Sequence, residues 1–317
     1  MSDSSHAPSI IEVENLTKSY GPYKAVDSVS FSIKKGEVVG FLGPNGAGKT
    51  TTMKMITGFM AATSGRVQIA GFDVFENPLE VKKRIGYLPE TPPVYSDMTI
   101  ESYLNFVAKL KGVESSRRKA LVERAIQKTD LGPMKHRLIQ NLSKGYRQRV
   151  GISQALVSDP EVLILDEPTV GLDPRQVAEV RSLIKELAGQ HTIILSTHIL
   201  PEVQASCQRI IIINKGKIVA QDTIDSLSNR SGSAGRVHLR VLKSSQDLIA
   251  QINKTPGVKR LTQNDLDFTV ETDGLGETAA RVAESVVKSG SGLLELRQET
   301  FNLEDVFLKL TTSEESQ

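Results

Sequence analysis

The run Gly43-Pro-Asn-Gly-Ala-Gly-Lys-Thr-Thr51 fits G-x-x-x-x-G-K-[ST], a loop that wraps the phosphates of a nucleoside triphosphate. Gly43, Gly46 and Gly48 let successive backbone N–H groups turn inward with no Cβ in the way, forming an anion nest at a helix N-terminus. Pro44, Asn45, Ala47 and Thr51 complete the loop. Lys49 is placed to reach the β- and γ-phosphates, and the Thr50 hydroxyl to ligate Mg²⁺. A second run, Val162-Leu-Ile-Leu-Asp-Glu-Pro168, is an apolar segment ending abruptly in two carboxylates. Downstream of a phosphate loop, the first acid holds Mg²⁺ directly or through water, which gives that role to Asp166. Glu167 then stands where it can polarise a water in line with the γ-phosphate.

These residues need a sheet to hold them. Val38-Val-Gly-Phe-Leu42 reads as a buried strand before the loop, and Lys49 to Met60 follows with helical spacing of Met53, Ile56, Thr57 and Met60. From Ile10 to about Asp222, strand-like and helix-like runs alternate, which predicts an α/β domain around a largely parallel sheet. Its early segments, 10–20, 29–33 and 67–71, are more hairpin-like. Strand signal disappears between 92 and 158, where Ile100, Leu104, Val107 and Leu110 share a helical face behind a Thr99 N-cap. A basic helix over 116–129 follows with a solvated face. Strands resume at 162–166, 192–196 and 209–214.

The segment 229–235 turns small and polar, a linker signature. Beyond it the order β-α-β-β-α-β predicts a small ferredoxin-like α+β domain over 236–317, closed by a helix at 302–311. The expected organisation is a polar tail (1–9), a nucleotide-binding domain (10–228) with a helical insert (92–158), a linker (229–235) and this accessory domain.

Composition narrows the partners. The chain has 317 residues, 39% hydrophobic and 24% charged, with a formal net charge of +2. That balance gives no global reason to expect nucleic acid as a partner. Cys207 is the only cysteine, so an intrachain disulfide or a cysteine zinc cluster is excluded. No apolar run approaches membrane-spanning length, the strongest being Ile210 to Ile213. The N-terminal nine residues lack the apolar core of a leader peptide.

Over about 10–222 the chain resembles the nucleotide-binding subunits of ABC transporters. Leu142-Ser-Lys-Gly-Tyr146 looks like that family's signature, followed by a helix over 147–158. In the family two such domains meet head to tail, and the signature caps the ATP held by the opposite subunit. The resemblance implies that role for the Ser143 hydroxyl and the Gly145 N–H; read alone, Ser143 is equally an N-cap. Gly171-Leu-Asp-Pro174 resembles the loop crossing the dimer interface, with Asp173 its polar contact. Ser196-Thr-His198 places His198 as the family's switch histidine at the γ-phosphate. Tyr20 resembles the aromatic on which adenine stacks, with Tyr23 as competitor.

Where the family usually has glutamine, Ile85-Gly-Tyr-Leu-Pro-Glu90 carries Glu90, a possible Mg²⁺ ligand that adds negative charge beside the triphosphate. Lys144 and Tyr146 replace the signature's usual glycine and glutamine. These variants, with the closing 301–308 segment, resemble an export-type branch that includes gliding-motility, polysaccharide and drug-export ATPases. The implied protein is an ATP- and Mg²⁺-dependent ATPase that forms a homodimer or heterodimer. It would sit in the cytoplasm, peripheral to the inner face of the cell membrane, beneath a separate transmembrane permease. Pro92, Val94 and Tyr95 are candidates for the docking surface, or an ordinary loop. The competing reading is a soluble nucleotide-regulated clamp without a permease.

Overall fold

The computed structural model describes residues 8–224, 226–227, 235–273, 276–299 and 307. The expected linker (except Gly235), most of the tail, and the closing helix (except Phe307) lie outside them. The chain divides near Ile224 into two compact units.

In the first unit, β1 (Ser9–Tyr20) and β2 (Tyr23–Lys34) form an antiparallel hairpin. Two further strands join it, β4 (Ser64–Ile69) and β5 (Phe72–Asp73), in the order β2-β1-β4-β5. The second sheet contains β3 (Val38–Leu42), β6 (Ile85–Leu88), β7 (Val162–Asp166), β8 (Thr192–Thr197), β9 (Arg209–Asn214) and β10 (Lys217–Thr223). Its order is β10-β9-β3-β8-β7-β6, with only the edge strand β10 antiparallel to its neighbour. Every residue of β3, β7 and β8 is buried, which is why their sequences run continuously apolar rather than alternating.

The register fixes the site. Leu42 pairs with Thr197, and Asp166 pairs with Ser196, so β3, β7 and β8 finish in one row. Parallel strands then deliver the phosphate loop, the paired acids and His198 to the same edge of the sheet. Helix α1 (Lys49–Ile56) leaves the phosphate loop and stops at Thr57, short of the expected Met60. Gly58 is left-handed at φ 66°, and the chain turns there.

The helices α2 (Pro78–Arg84), α3 (Ile100–Leu110), α4 (Ser115–Lys128) and α5 (Lys144–Leu156) follow in chain order. The last three share a core of their own, with Leu104, Ile126 and Val150 fully buried. Thr99 caps α3 as expected, its side chain accepting from the Ser102 N–H. Helix α5 begins three residues before the expected 147. Ser143 accepts from the Tyr146 N–H at 3.4 Å and caps it, so Lys144, Gly145 and Tyr146 are its first turn. The unit is completed by α6 (Pro174–Leu187) and α7 (Leu200–Ser206).

The second unit runs β11 (Arg236–Val241), α8 (Gln246–Lys254), β12 (Val258–Asn264), β13 (Asp267–Thr272), α9 (Gly276–Lys288) and β14 (Leu293–Glu299). Its antiparallel order β12-β13-β11-β14 is that of a ferredoxin-like split sheet. Val237, Leu239, Val241, Phe268 and Val270 form one face and pack with Leu248, Ile252, Val282 and Val286 of the two helices.

Helix α5 lies close enough to β6 that a Cβ on Gly86 would stand 2.1 Å from the Ala155 carbonyl oxygen. Because the obstacle is backbone, Gly86→Ala is expected to cost roughly 1–3 kcal/mol. The melting temperature should fall by roughly 2–4 °C per kcal/mol. An unchanged melting curve would show that α5 can lift from β6 freely.

Candidate functional site

The loop 43–51 turns from β3 into α1 with Gly48 at the N-cap, left-handed at φ 104°. No side chain caps the helix. Its first N–H groups are therefore open to an anion. Lys49 folds back over the loop, donating to the Gly43 carbonyl at 2.9 Å and to the Pro44 carbonyl at 3.3 Å. Its ammonium also stands 3.4 Å from Glu167 Oε1, with the two side chains only 6% and 7% exposed. His198 Nδ1 lies 3.0 Å and 2.9 Å from the two Glu167 oxygens. With Nδ1–H donating to that carboxylate, Nε2 is left for another partner. One acid is thus held between a buried cation and a histidine.

The backbone at Glu167 is forced. Its φ is 49°, left-handed for a residue with a Cβ, and its N–H donates to the Ser196 carbonyl at 2.8 Å. That bond turns the chain over at the end of β7, a conformation that costs of order 1–3 kcal/mol and concentrates at functional sites. The preceding Asp166 is fully buried. Its Oδ1 accepts from Ser196 Oγ at 2.7 Å, while Oδ2 has no partner. Burial pushes the Asp166 carboxyl up, hydrogen bonds from Ser196 and Thr50 pull it down, and the charges of Glu167 and Glu90 push it up again.

Beside these groups opens a cleft of about 700 Å³. Lys49, Thr50, Glu90, Glu167 and His198 line it, as do Tyr20 and Tyr23 on either side of the hairpin turn. Both tyrosines are exposed, at 49% and 60%, so the fold brings both candidates to the cleft without choosing between them. The Tyr20 hydroxyl meets Met60 Sδ at 3.1 Å, and the Lys18 ammonium lies 5.4 Å from its ring centre.

A divalent cation fits what is present. The Thr50 hydroxyl and the unpartnered Asp166 oxygen are hard donors beside the phosphate loop, and Glu90 lies on the cleft wall. Among the described residues no cluster of three or more His, Cys, Asp or Glu side chains could hold a metal by itself. That suits Mg²⁺, which takes one or two protein ligands and fills the rest with phosphate and water.

Ser143, Gly145 and Asp173 do not line this cleft. They gather elsewhere in the same unit. The Gln176 side chain covers the Gly145 α-carbon, and the Lys144 ammonium lies against Gly171. Asp173 caps α6, accepting from the Gln176 N–H at 2.9 Å. Two participants have no role in the sequence reading. Ser196 holds Asp166, and its place at the end of an apolar run was the available signal. Tyr87 on β6 has a hydroxyl without a partner. Its burial and the Asp166 charge keep its phenol protonated well beyond the ordinary tyrosine range.

Residues 26–170 match the family model described as ABC transporter. The bacitracin transport ATP-binding protein BcrA of Bacillus licheniformis is 35% identical over 95% of this chain and 97% of its own length. The linearmycin resistance ATP-binding protein LnrL of Bacillus subtilis is 32% identical over 95% of this chain and 98% of its own. A solved ATP-binding subunit of an ABC transporter superposes with a TM-score of 0.65 at 30% identity, covering 70% of this chain and 93% of that one.

Asp166 generates a test of the metal corner. Its folded pKa is raised, so its contribution to stability is greatest below the unfolded value near 3.9 and declines as pH rises through the folded value. Asp166→Asn cannot ionise. The nucleotide-free mutant should melt at or above wild type at pH 7, with the difference shrinking toward pH 4. It should also lose the Mg²⁺-dependent part of the thermal shift caused by ATP. A mutant less stable than wild type by the same margin at both pH values would remove Asp166 from that role.

Proposed function

The chain belongs to the ABC transporter ATP-binding family, and from that premise we propose that it hydrolyses Mg·ATP between two copies, or within a mixed pair, to drive a separate transmembrane permease in export. The observation that carries the catalytic assignment is Glu167, pinned at the end of β7 between Lys49 and His198 and beside an Asp166 oxygen with no partner.

Lys49 lies against Glu167 and donates to the loop carbonyls. A bound triphosphate competes for that ammonium, and the first N–H groups of α1 face its oxygens. With Lys49 turned to phosphate, Glu167 is free to accept a proton from water. That water's oxygen bonds to the γ-phosphorus as the bond to the β–γ bridging oxygen breaks, and ADP departs with the electron pair. His198 keeps the Glu167 carboxylate oriented through Nδ1 and offers Nε2 to the γ-phosphate side. Thr50 and Asp166, with Glu90 as a further candidate, would hold Mg²⁺, which would neutralise the phosphate oxygens.

Ser143, the N–H of Gly145 and Asp173 are placed to serve the nucleotide of a second copy, as they lie away from their own cleft. The bacitracin-transport and linearmycin-resistance relatives, matched over nearly their full lengths, support the export direction and weigh against a permease-free clamp. No helix among the described residues is long and apolar enough to cross a membrane, so this reading puts the chain on the inner membrane face through its permease. Tyr95 is 53% exposed and braced edge-on against Tyr103 and Phe106 of α3, with ring centres 6.1 Å and 5.5 Å apart. That bracing favours the loop near Glu90 as the permease contact.

Glu167→Gln is expected to bind ATP, to lose roughly 10²–10⁴-fold in kcat, and to accumulate as an ATP-dependent dimer on gel filtration. Wild-type turnover would take Glu167 out of the mechanism. Lys49→Ala should lose roughly 10- to 100-fold in ATP affinity, since charge-assisted bonds contribute about 1.5–3 kcal/mol. Equal titration curves for mutant and wild type would sink the phosphate-loop assignment.

A further inference from the structure

Glu202 lies in the first turn of α7 and is 1% exposed, an acid buried as deeply as the hydrophobic core. Both of its oxygens are occupied by hydroxyls, one from the turn after β7 and one from the last residue of β8. Oε1 accepts from Thr169 Oγ1, and Oε2 accepts from Thr197 Oγ1 at 2.9 Å. Both threonines are themselves buried.

The positions of those threonines matter. Thr169 follows Glu167 by two residues and opens the turn toward Asp173, its carbonyl accepting from the Leu172 N–H at 3.1 Å. Within the same turn the Val170 N–H donates to the Glu167 carbonyl at 3.3 Å. Thr197 immediately precedes His198, and its hydroxyl accepts from the Ile199 N–H at 3.1 Å. A single carboxylate therefore fastens the turn after Glu167 to the strand end before His198, and neither Glu202 nor the two threonines line the cleft.

We propose that Glu202 is a positioning residue for ATP hydrolysis, setting the Glu167–His198 geometry through Thr169 and Thr197 without touching the nucleotide. This rests on the assignment of Glu167 and His198 above. The chemistry requires an acid. A carboxylate can accept from both hydroxyls at once, one on each oxygen, which leaves Thr197 oriented to receive the Ile199 N–H. A glutamine has one acceptor oxygen and an amide that donates, so one of the two hydroxyls must give up donating and reorient to accept. A buried acid is costly to keep, and hydrophobic replacements are often neutral or stabilising, so packing gives no reason for one here. Neighbouring Cys207 supplies no alternative chemistry, because burial, reinforced by the Glu202 charge, pushes its thiol up to about 12.

The experiment uses the full chain and measures steady-state kcat, the dissociation constant for a fluorescent ATP analogue, and the melting temperature. The variants are Glu202→Gln, Thr169→Val and Thr169→Ser. Glu202→Gln and Thr169→Val should lose roughly 10- to 100-fold in kcat with analogue affinity within about twofold of wild type, the split expected when only transition-state geometry is disturbed. The double variant should lose much less than the two losses multiplied, because both changes break one tie. Thr169→Ser, which keeps the hydroxyl, should recover most of what Thr169→Val loses. Unchanged kcat in Glu202→Gln overturns the proposal. So does a loss of affinity and melting temperature in step with kcat, or a serine variant no better than valine. If Glu202→Gln does not fold, the Thr169 pair decides alone. Glu167→Gln is run beside them: its inactivity against an active wild type keeps the catalytic reading standing whatever Glu202 does, and its full activity withdraws that reading first.

Discussion

Two adjacent carboxylates, Asp166 and Glu167, are buried at the end of one strand, and the site depends on how that charge is tolerated. Removing them from water raises the cost of ionisation, and their proximity adds mutual repulsion. The fold treats them differently. Glu167 receives a buried ammonium and a histidine, so its charge is balanced before any ligand arrives. Asp166 accepts from the Ser196 hydroxyl on one oxygen and keeps the other unpaired. The site thus sets an unpartnered carboxylate oxygen at Asp166 near a buried ammonium at Lys49, the two groups that the proposed mechanism gives to a divalent ion and to phosphate.

Such an arrangement needs rigid support, and the parallel sheet provides it. Desolvated charges hold their geometry only if their backbone cannot relax toward solvent. β3, β7 and β8 are buried on both faces and end in one row. The left-handed turn at Glu167 is tolerated because the Ser196 carbonyl takes its N–H, a bond that exists only while β7 and β8 stay in register. Stability of the sheet and strain at the catalytic position are therefore the same structural fact viewed from two ends.

The parts legible in the sequence were those whose chemistry is local along the chain. A phosphate loop and an apolar run ending in Asp166-Glu167 each declare themselves within ten residues. The accessory unit was legible too, since α8 and α9 alternate with strands whose inward positions repeat every second residue. What the sequence could not show is which side chains meet across long separations. Lys49 and Glu167 are brought together by the neighbouring ends of β3, β8 and β7, and Thr169 reaches Glu202 through the return of α7. Local misreadings have local causes. β6 is four residues with a glycine inside, too short for periodicity, and β10 is a partly exposed edge strand. The start of α5 was masked by Gly145 in its first turn, where helix propensity is lowest. Tyr20 and Tyr23 stay equivalent because a hairpin turn puts both at one cleft.

The Glu202 tie gives the separation of Ser143, Gly145 and Asp173 from their own cleft a mechanical meaning. From His198 the covalent chain leads to Thr197, and a hydrogen bond to Glu202 and on to Thr169. Two residues further, Gly171 lies under the Lys144 ammonium; beyond it Asp173 caps the helix whose Gln176 covers Gly145. The residues that the proposed function assigns to this copy's γ-phosphate and to a partner's nucleotide are thus joined by a short polar path, buried at Thr197, Glu202 and Thr169 and exposed at Gly171, Asp173 and Lys144. Contiguity alone is not coupling, which also requires an element with two arrangements. In the proposed mechanism the ammonium of Lys49 would be such an element, leaving Glu167 for phosphate. Its departure leaves Glu167 dependent on His198 and on the loops that Glu202 joins. In that mechanism, occupancy of one cleft would be felt first by the residues that lead to α5.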